Sequence, residues 1–155
     1  MRMVYIRNKK KTIKTKGEGF LSYTELELIA ESSHGHVSNV KLYEYLDQAR
    51  KEWYHFCTLL GVEGVAVHIS VDFKMEVFHG DKLFITTSLE RVGNTSFTLL
   101  QKIIRDQKEL VVSAEAVLTA INRETREKTR VPDEIRSLLK NDAVLNHKEL
   151  ISTTK

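Results

Sequence analysis

The stretch that decides the fold is SNVKLYEYLDQARKEWYHFCTLL, residues 38–60. Leu42, Leu46, Ala49, Trp53, Phe56 and Leu60 recur at spacings of three or four, which draws a single apolar stripe along an α-helix. Ser38 is a suitable N-cap, and Gly61 is a suitable residue just past the C-terminus. At 1.5 Å per residue the helix would run to about 30 Å or slightly more, long enough to cross a small domain.

The period then changes from 3.6 to 2. Val65, Val67, Ile69, Val71, Phe73, Met75 and Val77 alternate with Ala66, His68, Ser70, Asp72, Lys74 and Glu76, which predicts one long half-buried strand. His79-Gly80-Asp81 turns into a strand at 82–91, Gly93-Asn94 into one at 96–105, and Asp106-Gln107-Lys108 into one at 110–122. Before the helix, residues 20–30 read as a strand with Leu26, Leu28 and Ala30 on one face and Glu25 and Glu27 on the other. After Pro132, DEIRSLLK reads as a short helix. Strand, long helix and four consecutive antiparallel strands specify an α+β domain whose five-stranded sheet curls around the helix. One helix cannot cover both faces of such a sheet, so a second subunit is expected to protect a face or an edge.

Length and composition agree. The chain has 155 residues, 41% hydrophobic and 29% charged, which suits one folded domain. Cys57 is the single cysteine, so no intrachain disulfide forms, and a reducing, cytoplasmic setting is expected. No signal-peptide core and no apolar run of membrane-spanning length is present. The net charge of +3 is uneven: residues 1–16 hold seven of the 24 basic residues and no acid, leaving 17 against 21, or −4, for the rest. Such a tail can meet phosphate groups or simply keep the chain soluble, and no nucleic-acid partner is expected. The expected organisation is a basic leader at 1–19, a domain at 20–140 and a polar tail at 141–155.

GHVSNVKLYEYLDQARKEW at 35–53 resembles the motif that opens the long helix in hotdog-fold acyl-CoA thioesterases of the YbgC and 4-hydroxybenzoyl-CoA thioesterase branch. That motif runs roughly Asp-x-x-Gly-His-Val-Asn-Asn, followed by a helix with an aromatic pair and an Ala-Arg. The resemblance continues through VHISVDFKMEV, HGDKLFITTSLERVGNTSFTLLQKI and ELVVSAEAVLTAINRETREKTRVPDEIRSLL, so it spans about residues 20–140 in order. It implies a hotdog dimer or tetramer whose sites lie between subunits, near the start of the long helix. An acyl-CoA or acyl-carrier thioester would be the ligand, coenzyme A arriving as part of the substrate with no further cofactor. Hydrolysis places negative charge on the thioester oxygen, and backbone N–H groups around His36 to Asn39 can receive it.

The sequence departs from the family at its catalytic Asp, which corresponds to Ser32; the adjacent Glu31 would point the other way along an extended chain. The Asp-x-Asn-x-His motif of acyl-carrier thioesterases falls on Ser32, His34 and His36, with only His36 retained. His36 is either a general base or a residue hydrogen-bonded at the helix start. Glu44 and Asp47, in the first two turns, could supply a carboxylate as in other hotdog thioesterases, or simply favour the helix dipole. Asn39 is a candidate donor to the substrate carbonyl, and Gly35, Val37, Lys74 and Ser96 are candidate substrate-binding positions. His34 reads as a surface residue and Cys57 as packing. His68 and His79 lie too far from any Cys or acidic cluster for a metal site. Two functions follow: a thioesterase with a modified base, or a hotdog module that binds the thioester without cleaving it. A hotdog dehydratase ranks below both, because its His-x-Phe-Pro-Gly type of motif is missing.

Overall fold

The structure is a computed structural model that describes residues 5–7 and 23–140. The polar tail at 141–155, and the basic leader apart from 5–7, lie outside the described residues. In chain order the elements are β1 (Tyr5–Arg7), β2 (Tyr23–Ile29), α1 (Asn39–Leu59), β3 (Glu63–Phe73), β4 (Lys82–Val92), β5 (Ser96–Arg105), β6 (Glu109–Ile121) and α2 (Asp133–Lys140). The five expected strands, β2 to β6, form one antiparallel sheet curved around α1, and the short β1 extends it to six at the β2 edge. The strand order is β1-β2-β4-β5-β6-β3. α1 therefore crosses over the sheet before the chain enters β3 at the far edge.

The helix begins and ends where its sequence says. Ser38 is extended and its Oγ accepts the Lys41 N–H, while Gly61 sits at φ 85° just beyond the last turn, a conformation costly for any residue with a Cβ. The hairpin at 106–108 turns through Asp106 and Gln107, both at positive φ, as a tight connection between right-twisted strands requires.

The apolar stripe is buried in two blocks. Leu42, Tyr45, Leu46 and Ala49 pack with Leu26, Leu28, Leu83, Ile85, Ile103 and Val112. Trp53, Phe56 and Cys57 pack with Leu89, Phe97, Leu99, Ala116 and Leu118, and with Val131, Ile135 and Leu138 from the α2 segment. Gly64 lets β3 approach the helix closely: a Cβ there would lie 3.1 Å from Cys57 Sγ.

The long third strand differs from its expected pattern. A bulge between Ala66 and His68 leaves Val67 as an extra residue, 57% exposed, while Ile69 and Val71 face the core. The strand also stops at Phe73 instead of running to Val77. The N–H groups of Lys74 and Met75 both turn to the carbonyl of Val111, at 2.8 and 3.2 Å, and the chain leaves the ladder. Val77 re-enters the core from the following loop. Strict alternation in sequence cannot show where a bulge inserts one residue.

Candidate active site

The segment before α1 is pinned to the turn before β4. Ala30 N–H donates to Asp81 O at 2.8 Å, and Gly80 N–H returns to Ala30 O at 2.8 Å. His79 N–H donates to Gly35 O at 2.8 Å and Val37 N–H to Val77 O at 2.6 Å. The side chains complete the attachment. Ser32 N–H donates to His79 Nδ1 at 3.0 Å, Ser32 Oγ donates to His36 O at 2.6 Å, and His34 N–H donates to Ser32 Oγ at 3.2 Å. Glu31 N–H donates to Tyr45 OH on the helix at 3.1 Å, and the Glu31 Oε2 is buried without a hydrogen-bond partner. The turn is braced from behind, since Asp81 Oδ2 accepts from Phe78 N–H at 2.8 Å and from Arg105 Nη1 at 3.3 Å.

This loop delivers the first turn of α1 with some N–H groups already used. Val37 N–H is committed to Val77, Lys41 N–H to Ser38 Oγ, and Leu42 N–H to Ser38 O. Among the described residues the N–H groups of Asn39 and Val40 have no protein acceptor, and they carry the positive end of a 21-residue helix. The same two residues belong to a groove of about 700 Å³ lined by Asn39, Val40, Tyr43, Glu44, Asp47, Gln48, Arg50 and Phe73. Its apolar lining is exposed, with Val40 at 71%, Tyr43 at 39% and Phe73 at 38%.

At the floor of the groove is a residue that sequence reasoning missed as a contributor, Arg50. Its side chain is buried, yet it lines the groove. Nε donates to Tyr54 OH at 3.0 Å, Nη1 to Gln101 Oε1 at 2.9 Å and Nη2 to Asp47 Oδ1 at 3.3 Å. Gln101, fully buried on β5, donates in turn to Leu46 O and Thr87 Oγ1, both at 3.0 Å. A guanidinium taken out of water needs its donors satisfied, and this one has three partners. The Ala-Arg of the family motif was the only sign of it in the sequence.

Of the candidate residues, the groove gathers Asn39, Glu44 and Asp47. Glu44 is paired with Lys41 Nζ at 3.2 Å, and Asp47 with Arg50. Glu44 lies five residues and Asp47 eight residues past Asn39, about 7 and 12 Å along the axis. Ser32, Gly35, His36 and Val37 build the adjoining loop rather than the groove wall: Ser32 serves its turn, the His36 carbonyl accepts from it, Gly35 takes φ 93°, and Val37 is buried. Lys74 is exposed directly after Phe73. Ser96 sits at the other end of the sheet, where Thr119 links it to Val65, eight residues from Phe73 and so about 25 Å away within one protomer. Burial pushes the Cys57 thiol up to about 12, which removes it as a nucleophile. Among the described residues no group of three or more His, Cys, Asp and Glu is placed to hold a metal ion. No helix among them is long and apolar enough to cross a membrane.

The sequence model of the thioesterase-like superfamily matches residues 32–139, well over half of the chain. The chain belongs to the thioesterase-like superfamily. By family it is a thioester hydrolase. Solved structures share the hotdog fold at low identity. A predicted thioesterase from Bacillus stearothermophilus superposes with a TM-score of 0.68 at 21% identity, covering 77% of this chain and 95% of its own. YbaW, a probable thioesterase from Escherichia coli, gives 0.63 at 22%, covering 78% and 98%. A mutant 4-hydroxybenzoyl-CoA thioesterase complexed with 4-hydroxybenzoyl-CoA gives 0.65 at 18%, covering 76% and 98%. No sequence among the curated proteins matches.

Proposed function

We propose that this thioesterase-superfamily chain hydrolyses an acyl-CoA, in a site completed between two copies of the chain. The observation that carries this reading is the pair of N–H groups at Asn39 and Val40 that have no acceptor among the described residues, in a helix turn that lines an apolar groove with two carboxylates. Water attacks the thioester carbon, and the charge that develops on its oxygen is received by those N–H groups. The thiolate of coenzyme A then leaves and takes up a proton. Coenzyme A enters as substrate and leaves as product, so the reaction asks for no separate cofactor. Ser32 is committed to its own loop, and Glu44 and Asp47 are the carboxylates that line the groove and can activate water.

Support for a second copy comes from β3. It is an eleven-residue edge strand with an exposed valine at its bulge, and it ends beside the exposed groove residues. Antiparallel pairing of two such edges sets the Glu63 end of one strand beside the Phe73 end of the other. That carries the partner's Ser96 towards this groove and lays Lys74 at its rim, where an ammonium can meet a phosphate. A homodimer, or a tetramer of two such dimers, acting in the cytoplasm fits this arrangement and the single buried thiol.

A second reading is favoured by Ser32 standing where the family carries Asp: a module that binds the thioester without cleaving it. Thiol release from acyl-CoAs separates the two. Turnover that falls about 100- to 10,000-fold in either Glu44→Gln or Asp47→Asn supports hydrolysis and names the base. Binding of acyl-CoA by calorimetry with no turnover supports the second reading.

A further inference from the structure

Among the described residues, the bonds that join the helix-start loop to the turn at 77–81 are backbone to backbone, with one exception. The Ser32 N–H donates to a titratable side chain, His79 Nδ1, at 3.0 Å. A ring nitrogen that accepts a hydrogen bond carries no proton, so neutral His79 holds its proton on Nε2. Protonation would place an N–H opposite the Ser32 N–H, two donors face to face, and the bond would be lost.

We propose that His79 is a positioning residue: in its neutral, Nε2-protonated form it holds the loop that presents the Asn39 and Val40 N–H groups, so that turnover depends on this bond. The inference rests on the hydrolytic reading above and deepens it. Ser32 explains why the bond has leverage. The same residue that donates to His79 also ties His34 and His36 together through its hydroxyl, and Val37 and Ser38 follow directly. Releasing Ser32 frees one of the anchors of a seven-residue path from Ser32 to the N-cap. A shift of this kind in the donors costs rate in the transition state more than it costs ground-state affinity, because the carbonyl oxygen is charged only there.

Other charged and titratable groups lie on the elements that meet at this loop and turn. They are Glu31, His34 and His36 on the loop, Glu76 before the turn, Asp81 in it and Lys82 after it, Arg105 and Glu109 from the β5–β6 hairpin, and Tyr45 and Lys41 on α1. Asp81 is held by Arg105, which also donates to Glu109 Oε2 at 2.7 Å and to Glu76 O at 2.6 Å. His34 and His36 are exposed, and among the described residues their rings have no hydrogen-bond partner, so within that set His79 alone links a ring nitrogen to the loop backbone.

The test compares the full chain with His79→Asn and His79→Leu. The Asn amide oxygen falls near the position of Nδ1 and accepts without titrating; Leu does neither. Thiol release from an acyl-CoA is followed from acid to neutral pH, with circular dichroism to confirm that each variant is folded. The expected result is a wild-type kcat that falls on the acid side, a His79→Asn variant that keeps neutral-pH kcat and loses that fall, and a His79→Leu variant lower by about 10- to 100-fold in kcat at little change in KM. Superposable pH profiles for wild type and His79→Asn, or a wild-type kcat in His79→Leu, overturn the proposal. If no acyl-CoA is turned over, the hydrolytic reading fails by itself, and the bond is still read by nitrogen NMR of the imidazole. There, an Nε2–H ring whose protonation shifts the Ser32 amide supports the positioning role, and an Nδ1–H ring overturns it.

Discussion

The two halves of α1 face the same sheet and meet it differently. In the C-terminal half, Trp53, Phe56 and Cys57 are enclosed by β5, β6 and the α2 segment, with the Trp53 ring 6.3 Å from Phe97 and 6.4 Å from Phe56. In the N-terminal half the inward residues are just as buried. The outward face, however, leaves Val40 and Tyr43 exposed beside the groove, where the C-terminal half exposes Leu59, and at the boundary between the halves a charged side chain, Arg50, reaches from the groove into the core. Close apolar packing favours stability; exposed apolar surface beside a buried cation costs stability and persists where a ligand or partner completes it. The difference separates the end that holds the fold from the end where we propose that the thioester binds.

The largest effect should come from the closed half. Trp53→Ala is expected to cost about 3–5 kcal/mol, read by urea or thermal unfolding, while turnover per folded molecule stays near wild type. A Trp53→Ala variant that is fully stable but inactive would erase the division between the halves.

At the boundary, Arg50→Met leaves Gln101 Oε1 without its donor and Asp47 without its cation, and is expected to cost about 1–3 kcal/mol. Adding Gln101→Leu, which removes the stranded amide, should recover most of that loss, because a buried polar pair is often replaced by apolar residues at little cost. If the double variant is less stable than wild type by the sum of the two single losses, Arg50 and Gln101 do not act as one network.

The smallest and sharpest test is chemical. Burial raises the Cys57 thiol from 9.0 to about 12, so the folded state keeps a proton that the unfolded chain releases. Stability from this group is complete below pH 9 and is lost as the pH climbs from there towards about 12. Cys57→Ala should therefore lose less stability across that alkaline range than wild type does. At neutral pH a thiol reagent should label Cys57 only after unfolding; rapid labelling of the native protein would show that the closed half opens.

Much of the fold was legible because its signals were local. The stripe from Leu42 to Phe56, Ser38 as cap and Gly61 beyond the last turn each fix one element by steric or hydrogen-bonding rules that operate over a few residues. The β5 strand kept its expected bounds, Ser96 to Arg105. What was not legible depended on partners distant in sequence. The bulge at Val67 is set by pairing with β6, and β1 by pairing with β2. The site divided in the same way. Asn39 was named by its motif and Glu44 and Asp47 by their place in the first two turns of the helix, and the structure puts all three in one groove. Arg50 looks like a surface arginine until Gln101, 51 residues later, is placed against it, and His79 looks isolated until the turn at 77–81 docks on Ser32.

Steady-state release of free coenzyme A by the purified chain, over short, medium, long and aromatic acyl-CoAs, bears most directly on the claim that the bare start of α1 is where a thioester is cleaved. Turnover well above the spontaneous rate with at least one acyl class is the result this account predicts. Folded, dimeric protein that releases no thiol from any of them would contradict it.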